Sequence, residues 1–442
     1  MSGGVLRTRL RNGLEVRLKE IHSAPLISAW VWYRVGSRNE RPGITGASHL
    51  VEHMQFKGTP KFPVGLLDKA ISRVGGSWNA MTSLDWTAYY ETLPAGSIDL
   101  GLRLEADRMV HSLFEPVEFE SERTVVISER QGNENEPTFR LAEEIQAAAF
   151  RVHPYHHEII GHMADLETMT RDDLYKHYRT YYVPNNAILA VAGDFNTRSM
   201  LARIRELFGN LSAKRGEGRP PIPAEPEQRG EKRVVVEGPG ETPYLETSYH
   251  VPAASHEDFF ALSVLDSALA GASSLNLFGG GISNKTSRLY KALVEQELAA
   301  SIGGGLSATI DPYLYSVQAT VRPDRTPEQT LQAFDDEVAR LLDSPISADE
   351  VAKAIKQARA LFAYGSESIS NQAFWLGFSQ MIADYSWFTT YLERLEQVTP
   401  DDVQRIAQQY LRPQQRITGI YLPTSGSLPG DVELDETLEI EA

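Results

Sequence analysis

The chain has 442 residues, of which 42% are hydrophobic and 23% charged, enough for two or more domains that each bury an interior. Its 59 acidic and 43 basic residues leave a formal charge of −16, which argues against nucleic acid or an anionic membrane as partner, and no apolar run approaches the ~18 residues of a membrane span. Cysteine is absent, so disulfides, thiolate ligands and a cysteine nucleophile are excluded together, and any metal must be held by His, Asp or Glu.

The N-terminus passes from Met1-Ser2-Gly3-Gly4 straight into alternating sequence without a signal-peptide core. A cytoplasmic protein is therefore expected as the chain stands, or a periplasmic one if an export signal has been removed. Residues 5–19 read as a hairpin turning at Asn12-Gly13. In the next strand, 26–35, Ile27, Ala29, Val31, Tyr33 and Val35 share one face while Trp30 and Trp32 take the other, so both faces should be covered. A helix is expected over about 45–57, stopped by Gly58 and Pro60. A strand follows at 85–93, then amphipathic helices at 98–113, 118–131 and 140–150, a helix at 171–181 and an apolar strand at 187–192. Antiparallel strands with helices gathered on them define an α+β class.

A polar stretch rich in Pro, Gly and charge near 212–232 divides the chain into a first half, 1–215, a linker, 216–232, and a second half, 233–442. The second half repeats the order of the first. Leu113-Phe114-Glu115-Pro116 has a counterpart ending at Pro345, and Tyr181-Tyr182-Val183-Pro184 has one ending at Pro413, each about 229 residues later. Duplication is the economical explanation.

Chemistry concentrates at His49-Leu50-Val51-Glu52-His53. Residues four apart share a helix face, so His49 and His53 can address one ion, with Glu52 close enough to deprotonate a water. This is the inverted zincin order, H-x-x-E-H. Catalytic zinc takes three protein ligands, and Glu122 and Glu129 are both candidates for the third. Their spacing of seven puts the two carboxylates on one helix face, so one can bind the metal while the other orients a ligand. The histidines 153, 156, 157 and 162 lack a helical register and are expected in a polar loop.

The segment Gly46-Ala47-Ser48-His49-Leu50-Val51-Glu52-His53-Met54-Gln55-Phe56-Lys57-Gly58-Thr59 resembles the signature of the pitrilysin/insulinase family of zinc peptidases, in particular the short branch that includes the mitochondrial processing peptidase and bacterial two-subunit relatives. Glu129, 76 positions after His53, Gly75 to Thr82 with Tyr89 and Tyr90, and His153-Pro154-Tyr155 fit the same resemblance. It implies two α/β-roll-like halves forming half of a clamshell. It further implies one Zn²⁺ held by His49, His53 and Glu129, with Glu52 as general base and Glu122 in support. Asn79, Ala80 and Thr82 would lie on an edge strand that grips the peptide backbone, and Phe56 would line a side-chain pocket.

One departure stands out against that resemblance. Where active single-chain relatives place an Arg and a Tyr in the second half, this chain has Val294 and Ala300. The expectation is a metalloendopeptidase subunit paired with a related subunit that supplies those contacts, unless Tyr313 or Tyr315 replaces the Tyr, with a heterodimer or a homodimer both left open as the assembly. The competing expectation is a non-catalytic structural or peptide-binding subunit of the same fold.

Overall fold

The computed structural model describes residues 4–213, 220–276 and 283–424. The first sheet contains β1 (Leu6–Arg9), β2 (Glu15–Glu20), β3 (Leu26–Tyr33), β4 (Ser77–Thr82), β5 (Thr87–Pro94) and β6 (Ala187–Gly193). The expected hairpin is β1–β2. Its Gly13 sits at φ +92, and a Cβ there would lie 2.6 Å from that of Asn185, so only glycine serves. The second sheet contains β7 (Lys232–Pro239), β8 (Tyr244–Val251), β9 (Ala299–Leu306), β10 (Tyr313–Val321) and β11 (Arg416–Thr424).

The strand orders are β1-β2-β6-β3-β5-β4 and β7-β11-β8-β10-β9. With β1 set aside, they are one topology written twice. Each has a single parallel pair, β2–β6 and β7–β11, and the remaining neighbours are antiparallel. The fold is α+β in two like halves, as the near-constant offset of the prolines leads one to expect. The boundary between 215 and 216 falls outside the described residues, as does the chain from 425 onward. Residues 220–231 run without helix or strand, and Glu225 there accepts the N–H groups of Arg151, Val152 and His153 at 2.9–3.0 Å.

The halves are joined by an exchange of helices. Pro137–Ala149, from the first half, packs on the second sheet, where Leu141 and Ile145 share a core with Ile417 and Tyr421. Ile369–Ile382, from the second half, packs on β3 and β6 of the first sheet. This covers the Trp face of β3. Phe374 meets the Trp30 and Trp32 rings edge-on, with centroids 5.5 and 5.3 Å away, and Gly377 lets the helix approach until a Cβ would lie 2.0 Å from Trp32 Nε1. Each buried indole removes roughly 150–250 Å² from water, a gross gain of about 4–6 kcal/mol. The opposite face of β3, with Ile27, Ala29, Val31 and Tyr33, closes a core within the first half.

Local expectations are corrected in a few places. The helix expected over 45–57 is shorter, Ala47–Met54, because Thr45 is bound to Asp165 and Gly46 turns at φ +86. Helices at Leu66–Arg73 and Thr197–Phe208 were not anticipated. No described helix is long and apolar enough to cross a membrane.

Candidate metal centre

The helix Ala47–Met54 is held at its N-terminus by a buried acid. Glu40 accepts the N–H groups of Gly46 (2.7 Å) and Ser48 (2.6 Å), which would otherwise lack partners at a helix start. Burial pushes Glu40 up to about 8 against the pull of those donors. Ser48 also places its hydroxyl 3.1 Å from His177 Nε2, a histidine that burial depresses to about 3. Leu50, Val51 and Met54 face the core, which leaves His49, Glu52 and His53 half-buried on the remaining face.

Facing them is the helix Pro116–Asn133, which carries Glu122 and Glu129 and is anchored by Arg130. That guanidinium bonds Glu143 at 2.6 and 2.9 Å, Glu134 at 2.9 Å and the Gly161 carbonyl at 2.8 Å. Glu129 Oε2 stands 3.9 Å from His49 Nε2 and 3.8 Å from His53 Nε2. One ligand atom from each of the three lies within 4.8 Å of the others, the one such group among the described residues. A tetrahedral ion with bonds near 2.0–2.1 Å separates its donors by about 3.3–3.4 Å, so this two-nitrogen, one-oxygen set fits zinc with a small inward movement. Of the two candidate carboxylates, Glu129 is the one that stands beside both Nε2 atoms. Glu122 instead places Oε2 3.0 Å from His53 Nδ1, so that Nδ1–H donates to it and the Nε2 lone pair is left for an ion. His49 has no such support: its Nδ1 is buried without a partner, and desolvation, with His53 adding to it, lowers the ring to about 4.

Glu52 receives a hydrogen bond from Thr82 Oγ1 at 2.6 Å. Desolvation raises its pKa and the Thr82 bond opposes the rise. Together with His49, Glu129, Met81, Asn133, Phe139 and Glu158 it lines an open cleft of about 320 Å³. The strand carrying Thr82, β4, is the outer edge of the first sheet, paired only with β5. Trp78 and Ala80 pack toward the core of the first half, and Asn79 is exposed. Asn79 Oδ1 accepts from the Ala80 N–H at 2.9 Å.

One side chain lies elsewhere than expected. Phe56 does not line the cleft: its ring packs on Trp78 (4.8 Å) and Tyr89 (6.3 Å), with the buried Arg108 beside all three. Thr82 lies on the edge strand, as expected, and in addition spends its hydroxyl on Glu52. Sequence reasoning assigned no task to Lys57, whose Nζ meets Glu122 Oε1 at 2.6 Å; its position four residues after His53 was the available signal.

The later histidines form structural contacts. His153 Nε2 lies 3.0 Å from Asp311, which also takes Arg38 Nε at 2.7 Å and so ties the halves together. His157 is buried and depressed to about 4 by desolvation. In the second half, Val294 packs half-buried on the core and Ala300 is exposed on β9, which is the edge strand equivalent to β4. Tyr315 is sealed in the core, and Tyr313 stacks on Phe150 at 5.6 Å, so neither hydroxyl faces the cleft.

A duplicated α+β fold with two histidines and a glutamate converging beside two further carboxylates, Glu52 and Glu122, defines a candidate metal centre. The chain belongs to the insulinase family, peptidase family M16: the profile of that family matches residues 15–162, and the profile described as the M16 inactive domain matches residues 168–358. It is 30% identical to the zinc protease PqqE of Helicobacter pylori over 94% of this chain and 92% of that one. It is 28% identical to a probable mitochondrial-processing peptidase subunit beta of Arabidopsis thaliana over 72% of this chain and 59% of that one. The crystal structure of a protease from Helicobacter pylori superposes with a TM-score of 0.89 at 29% identity, covering 96% of this chain and all of that one.

Proposed function

We propose that the chain is a zinc-dependent endopeptidase subunit that cleaves peptides or unfolded segments, with His49, His53 and Glu129 as the metal ligands and Glu52 as the general base. The observation that carries this reading is the spacing of Glu129 Oε2, 3.8–3.9 Å from both imidazole Nε2 atoms, in the cleft that Glu52 also lines. When bound, zinc supplies a Lewis acid that polarises the scissile carbonyl. Glu52 takes the proton of the attacking water on Oε1, because Oε2 is held by Thr82, and delivers it to the departing amine nitrogen. The open edge of β4 receives the substrate as an added strand. Peptide groups beside Asn79 and Ala80 then form the backbone bonds, and the Asn79 amide yields the Ala80 N–H to the peptide. Phe56 acts from behind, packing the strand's Trp78. A base kept in hydrogen-bonded position beside the ligands has no use in a purely structural subunit, which weighs against the non-catalytic reading.

The same reading assigns this chain a partner. Val294 and Ala300 offer no side-chain donor to a substrate or oxyanion, so a related subunit that carries the missing Arg and Tyr contributes them to a closed chamber, which a second copy of this chain would not do from the same positions. Glu52→Gln should retain zinc and lose peptide cleavage by ~10²–10⁴-fold. Unchanged cleavage would reject Glu52 as the base. Full activity of the purified chain by itself would reject the partner requirement.

A further inference from the structure

We propose that Lys57 is a positioning residue of the metal site: its ammonium fixes the Glu122 carboxylate, and Glu122 fixes the ring of His53. The inference rests on the zinc-site reading above and assigns a task to a residue outside the ligand set.

The geometry is a chain of contacts with every acceptor used. The helix ends at Met54, and the Lys57 N–H donates to the Met54 carbonyl at 3.0 Å, which keeps the lysine one turn beyond His53. Its Nζ lies 2.6 Å from Glu122 Oε1 while Glu122 Oε2 lies 3.0 Å from His53 Nδ1, so each carboxylate oxygen has one partner. Glu118, one turn before Glu122, stands 4.0 Å from the same ammonium. Glu122 is buried, so solvent does little to orient it, and removing Lys57 would leave one oxygen unmatched and the carboxylate free to turn. The His53 ring would follow. No second hydrogen bond compensates, because the other imidazole, His49, has a buried Nδ1 with no partner. The orientation of the nitrogen pair therefore depends on the His53 side, and through Glu122 on Lys57. An ordinary surface ion pair would leave the zinc affinity unchanged.

The test is the zinc dissociation constant of the full-length chain, measured by competition with a chromogenic chelator. Removing a partner of a metal-bound histidine lowers affinity by about 10–100-fold, so Glu122→Gln should fall in that range and Lys57→Met near its low end, about tenfold. Lys57→Arg should bind within about twofold of wild type, because the charge and reach return. The double variant should bind no more weakly than Glu122→Gln alone, since both changes break one chain of contacts. Melting of the metal-free variants checks folding, and Lys57→Gln serves in place of Lys57→Met if the latter does not fold. Wild-type affinity in Lys57→Met, failure of Lys57→Arg to recover it, or additive losses in the double variant would each overturn the proposal. Zinc retained by His53→Ala would instead overturn the site reading itself.

Discussion

The helix Ala47–Met54 and the helix Asp258–Leu269 occupy equivalent places in the two halves. The first lies among β4, Pro116–Asn133 and Arg171–Tyr181, and the second among β9, Ala348–Tyr364 and Pro400–Tyr410. They are used in opposite ways. The first buries Leu50, Val51 and Met54 and leaves His49, Glu52 and His53 half-buried on its other face, where His49 and Glu52 line a cleft. In the second every residue except Ala268 is buried, and none is a histidine. A repeated architecture therefore fixes where a site can stand, while the residues on one face of one helix decide whether it is a site. The second half instead acts on the first through packing, by laying Ile369–Ile382 across the tryptophan face of β3.

If that division holds, removing packing from the exchanged helix should damage stability and spare the metal. Phe374→Ala takes a ring away from Trp30, Trp32 and Phe378 and should cost about 3–5 kcal/mol in urea unfolding. Zinc stoichiometry of the folded variant should be unchanged. Loss of zinc at full stability would break the comparison.

A smaller effect separates the halves by acid. Burial holds His177 near 3, against an ordinary value of 6.5. Between those values the unfolded chain binds a proton that the native chain does not, so stability falls as pH drops from about 6.5 toward 3 and is level above 6.5. The slope due to this residue is up to ~1.4 kcal/mol per pH unit. His157, near 4, adds to the same loss. Glu40, raised to about 8 at the start of the same helix, works the other way between about 4.5 and 8, so the His177 contribution is read as a difference: in the metal-free chain His177→Gln should lose less stability than wild type between pH 6.5 and 4. An acid loss in His177→Gln equal to that of wild type would contradict this.

Local signals carried much of the fold. Asn12-Gly13 marked its hairpin, Gly58 and Pro60 stood beyond the end of the metal helix, and Pro116 with Pro345 and Pro184 with Pro413 exposed the duplication. The two-faced strand at Trp30 and Trp32 required a cover, but nothing local says that the cover comes from residues more than 330 positions later. The metal site divides along the same line. His49, Glu52 and His53 follow from helical spacing and Glu129 from the family resemblance, whereas the Thr82 bond to Glu52 and the Lys57 contact arise only when separate segments meet. Phe56 was misplaced for the same reason: its partner Trp78 lies on another element, and a sequence cannot say on which side of a strand an aromatic will settle.

On the proposed reading, one zinc ion binds the first half through His49, His53 and Glu129. The most direct test of that reading is the zinc content of the purified full-length chain and of His49→Ala, His53→Ala and Glu129→Ala after dialysis against trace zinc. The account requires one zinc per wild-type chain and near-complete loss in each folded variant. Stoichiometric zinc in any of the three, or none in the wild type, would contradict it.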